Sequence, residues 1–203
     1  MKILSYLFIA VGAVFLVYGG WQWYSNTHQV DRALAKAEKL VSNASLKQSL
    51  PTAQDEHKNG KHNMNQQYKG DDVIGLIEIP RLNRKLPIVE GTDLTQLKKG
   101  VGHYSTTALP GKHDQILLAG HRDTVFKGLG QLKKGDEIIV KMPYGTYKYA
   151  MAFSKIVGSD DRSIIHPTAP KETLVLATCY PFMFVGNAPD RYILYANPIE
   201  TNN

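Results

Sequence analysis

Residues Ile3 to Tyr24 (ILSYLFIAVGAVFLVYGGWQWY) form an uncharged run of 22, and about 20 apolar residues carry a helix across the hydrocarbon core of a bilayer. The run predicts a transmembrane anchor over residues 1–24. Trp21, Trp23 and Tyr24 close it, at the level where amphipathic rings favour the membrane interface. A cleaved signal peptide has a shorter apolar core and a small-residue cleavage site, and this run has neither. Lys2 and the amino terminus are the only charges ahead of it, which favours a cytoplasmic N-terminus and a C-terminal region outside the cell membrane.

Beyond the run, Val30, Leu34, Ala37 and Val41 recur at helical spacing with Lys and Glu between them, predicting a helix. Its role is either a spacer or prop against the following domain, or an inhibitory cover over a site. From Pro51 to Gly70 large apolar residues almost vanish and amides abound, the composition of a flexible tether. Residues 25–70 thus read as helical spacer and tether. His57 and His62 lie in the tether, without a framework to make them metal ligands.

After Asp72 the pattern changes to short runs of strand-forming residues broken by Gly and Pro: VIGLIEIP, KLPIVEG, QILLAGH, DEIIVKM, GTYKYAMAFSKIVG, ETLVLATC and RYILYANP. Only DLTQLKKG, from Asp93 to Gly100, has helical start and stop signals. Seven or eight short strands with so few helices make residues 71–203 a mainly β domain, a barrel or a sandwich. There is no internal repeat and no phosphate-cradling glycine loop.

The 203 residues, 43% hydrophobic and 21% charged, suit one globular domain plus appendages. The net charge of +6 divides into +4 over residues 1–70 and +2 over residues 71–203. The β domain is thus nearly balanced and lacks the basic stripe with interleaved aromatics that argues for nucleic acid.

One cysteine, Cys179, excludes an internal disulfide and CxxC redox or zinc-ribbon chemistry. It is either an inert core thiol or a nucleophile. Nucleophilic acyl chemistry needs a thiolate, a proton donor for the leaving group, and positive charge or hydrogen-bond donors facing the oxyanion. Arg191 stands 12 residues later, across the loop-like YPFMFVGNAPD; antiparallel pairing of the flanking strands makes it a neighbour of Cys179. His121 follows the strand-like ILLAG and opens the polar cluster HRDT, and a strand end is where a fixed base lets a side-chain tip face a cleft. His103, His113 and His166 have no such setting, and no histidine pair has zinc spacing.

At these residues the sequence resembles the sortases, the membrane-anchored cysteine transpeptidases of Gram-positive bacteria. The family's T-L-x-T-C signature is matched by Val175, Leu176, Ala177, Thr178 and Cys179, with Val in the first position; its histidine is matched by His121 in LAGHRDT and its arginine by Arg191 in APDRYILYA. The wording TCYPF and GNAPDRY is most similar to class D sortases, and the resemblance covers residues 71–199.

The resemblance implies an eight-stranded β-barrel with Cys179, His121 and Arg191 lining a groove for an LPxT-type sorting signal, with Ala after the Thr in class D. It implies attack by the Cys179 thiolate, proton transfer by His121, oxyanion or carbonyl binding by Arg191, and transfer to an amine of a peptidoglycan precursor. Thr178, Tyr180 and Pro181 are the implied substrate-binding neighbours. No cofactor or metal is implied; in members that bind calcium near the groove, a counterpart here would draw on Asp160 and Asp161, an adjacent pair that is usually solvated. A cysteine peptidase with the same residues and a non-enzymatic wall-binding module are the alternatives.

Overall fold

The computed structural model describes residues 2–49, 68–184 and 186–199. The order is α1 (Lys2–Ser49), β1 (Val73–Ile79), a 3-10 turn (Pro80–Leu82), β2 (Arg84–Glu90), α2 (Leu94–Leu97), β3 (Val101–His103), β4 (Gln115–Ala119), a second 3-10 turn (Leu129–Gln131), β5 (Glu137–Met142), β6 (Gly145–Gly158), β7 (Thr173–Tyr180) and β8 (Asp190–Pro198). The strands close into a barrel in the order β1-β2-β3-β4-β7-β8-β6-β5, as expected of the β domain. Two joints of the barrel are parallel, β2 with β3 and β4 with β7.

The seven strand runs of the sequence are β1, β2 and β4 to β8. The eighth strand, β3, is three residues long, too short to carry an alternation; β2 on one side and β4 on the other hold it in place. Its His103 is a buried structural residue, with Nδ1 2.7 Å from Glu90 Oε2 and Nε2 3.0 Å from the Ala108 carbonyl. The barrel interior is filled by side chains such as Ile74, Ile77, Ile116, Leu118, Phe126, Ile138, Leu174, Leu176 and Leu194, the packing a small barrel requires.

Two outer faces are covered as well. Against β1 and β2 lies α1, whose Ala33 and Ala37 pack with Leu34 and Val41 on Val73, Leu76 and Val89. An ion pair between Glu38 and Lys85, 2.6 Å, borders the contact. The helix is therefore a prop on the barrel, as its spacing suggests, with Ala33 added to the expected face. On the second face the β6–β7 connection lays Ile164 and Ile165 over Leu117, Val175, Ile193 and Tyr195.

One helix, α1, runs through both the anchor run and the spacer. No proline interrupts it, and Gly19 and Gly20 each cost only about 1 kcal/mol against Ala in a helix interior. Among the described residues no helix is long and apolar enough to cross a membrane, so the structure does not carry the transmembrane expectation, which stands on the uncharged run of the sequence. Most of the tether, including His57 and His62, lies outside the described residues.

Candidate active site

Strand parity and register assemble the site. In β7, Val175, Ala177 and Cys179 share the outer face, while Leu174, Leu176 and Thr178 turn inward. Cys179 pairs directly with Arg191 of β8 in an antiparallel register that ends at Tyr180 and Asp190. The two side chains therefore project from the same face as nearest cross-strand neighbours. The cysteine is a free thiol, half-buried.

The third member comes from the parallel joint. Leu117 and Ala119 of β4 lie opposite Val175 and Ala177, and His121 follows two residues past the end of β4, as Cys179 does past Ala177 in β7. Leu117 belongs to the outer-face cluster with Val175 and Ile193, the face to which alternation also turns Cys179. The residues nominated from the sequence thus stand at the ends of three adjacent strands, β4, β7 and β8.

Gly120 sets the position of His121. Its N–H donates to the Ala177 carbonyl at 3.0 Å and its own carbonyl accepts the Thr178 hydroxyl at 2.7 Å, so two bonds tie the end of β4 to β7. A Cβ at residue 120 would stand 2.6 Å from Val125 Cγ2 and 2.8 Å from the Phe126 ring, so only glycine fits. The chain then turns back, with the Phe126 N–H donating to the His121 carbonyl at 2.9 Å.

The implied substrate-binding neighbours have different placements. Thr178 is buried, with 3% of its surface exposed, and its hydroxyl donates to the Gly120 carbonyl, so its side chain braces the site from inside. Tyr180 is partly buried against the barrel interior and meets Phe182 edge-on at 5.5 Å. Pro181 follows the last paired residue and opens the β7–β8 loop, its carbonyl accepting the Phe184 N–H at 3.3 Å.

That loop is held from both ends. Arg191 Nη1 donates to the carbonyls of Ala188, 3.1 Å, and Asp190, 2.8 Å; among the described residues its Nε and Nη2 have no acceptor in the chain. Arg122 Nη2 donates to the carbonyls of Phe184 and Gly186. Arg122 was not singled out from the sequence, and its only signal was membership of the HRDT cluster. Asp161 accepts the Ser163 N–H at 2.8 Å, and the Ser163 side chain first, then this N–H, hold its carboxyl below the usual range. Among the described residues no group of three or more His, Cys, Asp or Glu converges on a metal site.

A thiol flanked by an always-charged guanidinium and an imidazole can support acyl transfer. The thiol can serve as nucleophile, the imidazole can give and take a proton, and the free guanidinium donors can bind an oxyanion. The helix α1 packs on β1 and β2, away from β4, β7 and β8, so its described part does not cover this site.

Known proteins are similar to this chain in sequence and fold. The sortase domain family matches residues 77–199. A sortase D of Bacillus subtilis (strain 168) is 40% identical over 200 residues, 98% of each chain. A sortase D5 transpeptidase of Clostridium perfringens superposes with a TM-score of 0.65 at 25% identity, over 81% of this chain and 98% of its own. A Clostridium perfringens sortase C solved with the C-terminal cell wall sorting motif gives a TM-score of 0.60 at 25% identity, over 86% and 89% of the two chains. With the family's signature at the end of β7 and its barrel around it, the chain belongs to the sortase family of cysteine transpeptidases.

Proposed function

We propose that the chain cleaves an LPxT-type sorting signal, LPxTA in its preferred form, after the threonine and transfers the upstream protein to an amine of the cell wall. The observation that carries this reading is the direct cross-strand pairing of Cys179 with Arg191, with His121 two residues past the end of the strand that neighbours Cys179. The relative bound to a C-terminal cell wall sorting motif supports the substrate class.

In the first half-reaction the Cys179 thiolate attacks the threonine carbonyl, and the oxyanion that forms is met by Arg191. The C–N bond breaks as imidazolium His121 gives its proton to the leaving amine, and a thioester remains. In the second, an amine of a peptidoglycan precursor attacks the thioester and His121 takes the amine proton. The C–S bond breaks, Cys179 departs as thiolate, and the new amide is released.

The protein works as a single-pass membrane protein with the catalytic barrel outside the cell. The uncharged run Ile3–Tyr24 supports this, as do Phe15, Leu16, Val17 and Trp21, all more than 70% exposed on α1. A helix apolar on every side and uncovered by protein fits a lipid environment.

Mass spectrometry of the full chain in detergent, mixed with an LPxTA peptide with and without a diamine, tests the reading. The expected result is a thioester adduct on Cys179 that converts to amine-capped peptide when the diamine is added. Hydrolysed peptide regardless of amine would make the protein a peptidase, and an unmodified thiol with intact peptide would leave a wall-binding module. Cys179→Ala is expected to remove the adduct with little change in melting temperature, since the side chain is half-buried at a strand end; a large loss of stability would instead mark a packing thiol.

A further inference from the structure

Beside the site lies a cavity of about 840 Å3 that the reaction as described does not use. Arg81, Arg84, Arg122 and Lys127 line it, with Asp123 as the one carboxylate of its lining. Arg81 is committed elsewhere, its Nε 3.1 Å from the Asp136 carboxylate and donating to the Gln131 carbonyl. Arg122 clamps the β7–β8 loop through Nη2, while its Nη1 is shielded from solvent and has no acceptor among the described residues. Among the described residues, Arg84 and Lys127 have no ion-pair partner. A concave space with this excess of cations focuses a positive field.

The lining of the cavity is continuous in the chain with both segments that carry the nominated residues. Arg122 directly follows His121, and Phe182 and Met183 of the lining follow Cys179 at the start of the β7–β8 loop. Phe182 is seated on the turn at Gly130, where a Cβ would meet its ring at 2.5 Å. In the transfer proposed above, His121, the residue before Arg122 of the lining, must take the proton of the incoming amine. The field repels a bare ammonium, but it draws in an amine carried on an acidic molecule. It also lowers the pKa of that amine, raising the neutral fraction that can attack.

We infer that this cavity holds a carboxylate or phosphate of the acyl acceptor, making it the acceptor subsite of the transpeptidation proposed above, on which this assignment rests. Arg84 and Lys127 bind the anionic group, and Arg122 couples the subsite to the β7–β8 loop.

The test compares three acceptors on the full chain in detergent loaded with LPxTA peptide: a diamino dicarboxylic acid, an aminoalkyl phosphate, and a plain diamine of the same length as the first. The quantity read is the aminolysis rate with each acidic acceptor divided by that with the plain diamine. This ratio is internal to one enzyme, so impaired folding or acylation affects both arms alike.

A preference of about tenfold for an acidic acceptor, the scale of one charge-assisted hydrogen bond, is expected, and the favoured acid identifies carboxylate or phosphate. The double variant Arg84→Gln, Lys127→Gln is expected to bring the ratio near one, while Arg84→Lys keeps most of it. NMR line broadening of the two acidic compounds by the full chain gives a readout independent of catalysis, present in the wild type and lost in the double variant. No preference in the wild type, or a ratio and broadening unchanged in the double variant, overturns the subsite. Broadening that depends on Arg84 and Lys127 without any thioester on Cys179 overturns both the transfer reading and the assignment to an acceptor.

Discussion

Thr178 and Cys179 are adjacent with opposite duties, because neighbouring residues of a strand face opposite sides. The thiol is turned to the outer face with Arg191. The hydroxyl is buried and donates to the Gly120 carbonyl at 2.7 Å, one residue before His121. Thr178→Val keeps the β-branched shape suited to the strand but leaves that carbonyl without its donor. The expected loss is about 1–3 kcal/mol, measured by urea denaturation. Thioester formation should slow as well, because the end of β4 that carries His121 is then tied to β7 by the Gly120 N–H alone. Unchanged stability would show that water replaces the hydroxyl. The threonine of the signature was legible in the sequence, but its inward direction was not. A motif names a residue, whereas parity within the barrel decides which way it points.

At the scale of elements, the β6–β7 connection covers the outer face of β4, β7 and β8, and two residues at the start of β4 hold it. Gln115 donates from Nε2 to the Ile164 carbonyl at 2.8 Å and accepts the His166 N–H at 3.2 Å. Asp114 accepts the N–H groups of Thr168, Gln115 and Ala169. These bonds, led by the one from Thr168, hold its carboxyl below the ordinary 3.8. A carboxyl whose pKa is lowered on folding stabilises the fold above its unfolded value and loses that contribution as pH falls through the folded one. Wild type should therefore melt above Asp114→Asn at pH 6, with the gap shrinking below about pH 4. Thermal melts of both proteins across pH 2.5–7 check this, and a constant gap would mean that shape, not charge, holds the loop.

Such ties explain what the sequence reading reached and what it missed. Strands such as β5, buried at every second residue, announce themselves by alternation, and the pairing of Cys179 with Arg191 followed from a loop of turn-forming residues. The three residues of β3 carry no period. The grip of Arg122 on carbonyls 62 and 64 residues away depends on closure of the whole barrel, which no local pattern encodes.

The barrel as a whole keeps its reactive face apart from its supporting face. The helix α1 leans on β1 and β2 through Ala33 and Ala37, the latter with no exposed surface, and these small side chains let the helix lie close. The site stands on β4, β7 and β8, which occupy a different arc of the barrel. Ala37→Leu adds volume where there is none to spare, at a cost of about 1–3 kcal/mol. If the helix is only a prop, this cost falls on its own docking: hydrogen exchange should rise over the helix around residues 33–41 and over β1 and β2, while β7 and β8 keep their protection. The rate of thioester formation with a short LPxTA peptide should then stay within about twofold, since a change at a site more than ~10 Å away usually acts independently. Faster acylation in Ala37→Leu, with the barrel still protected, would instead mean that the docked helix restrains the site and that undocking it switches the enzyme on.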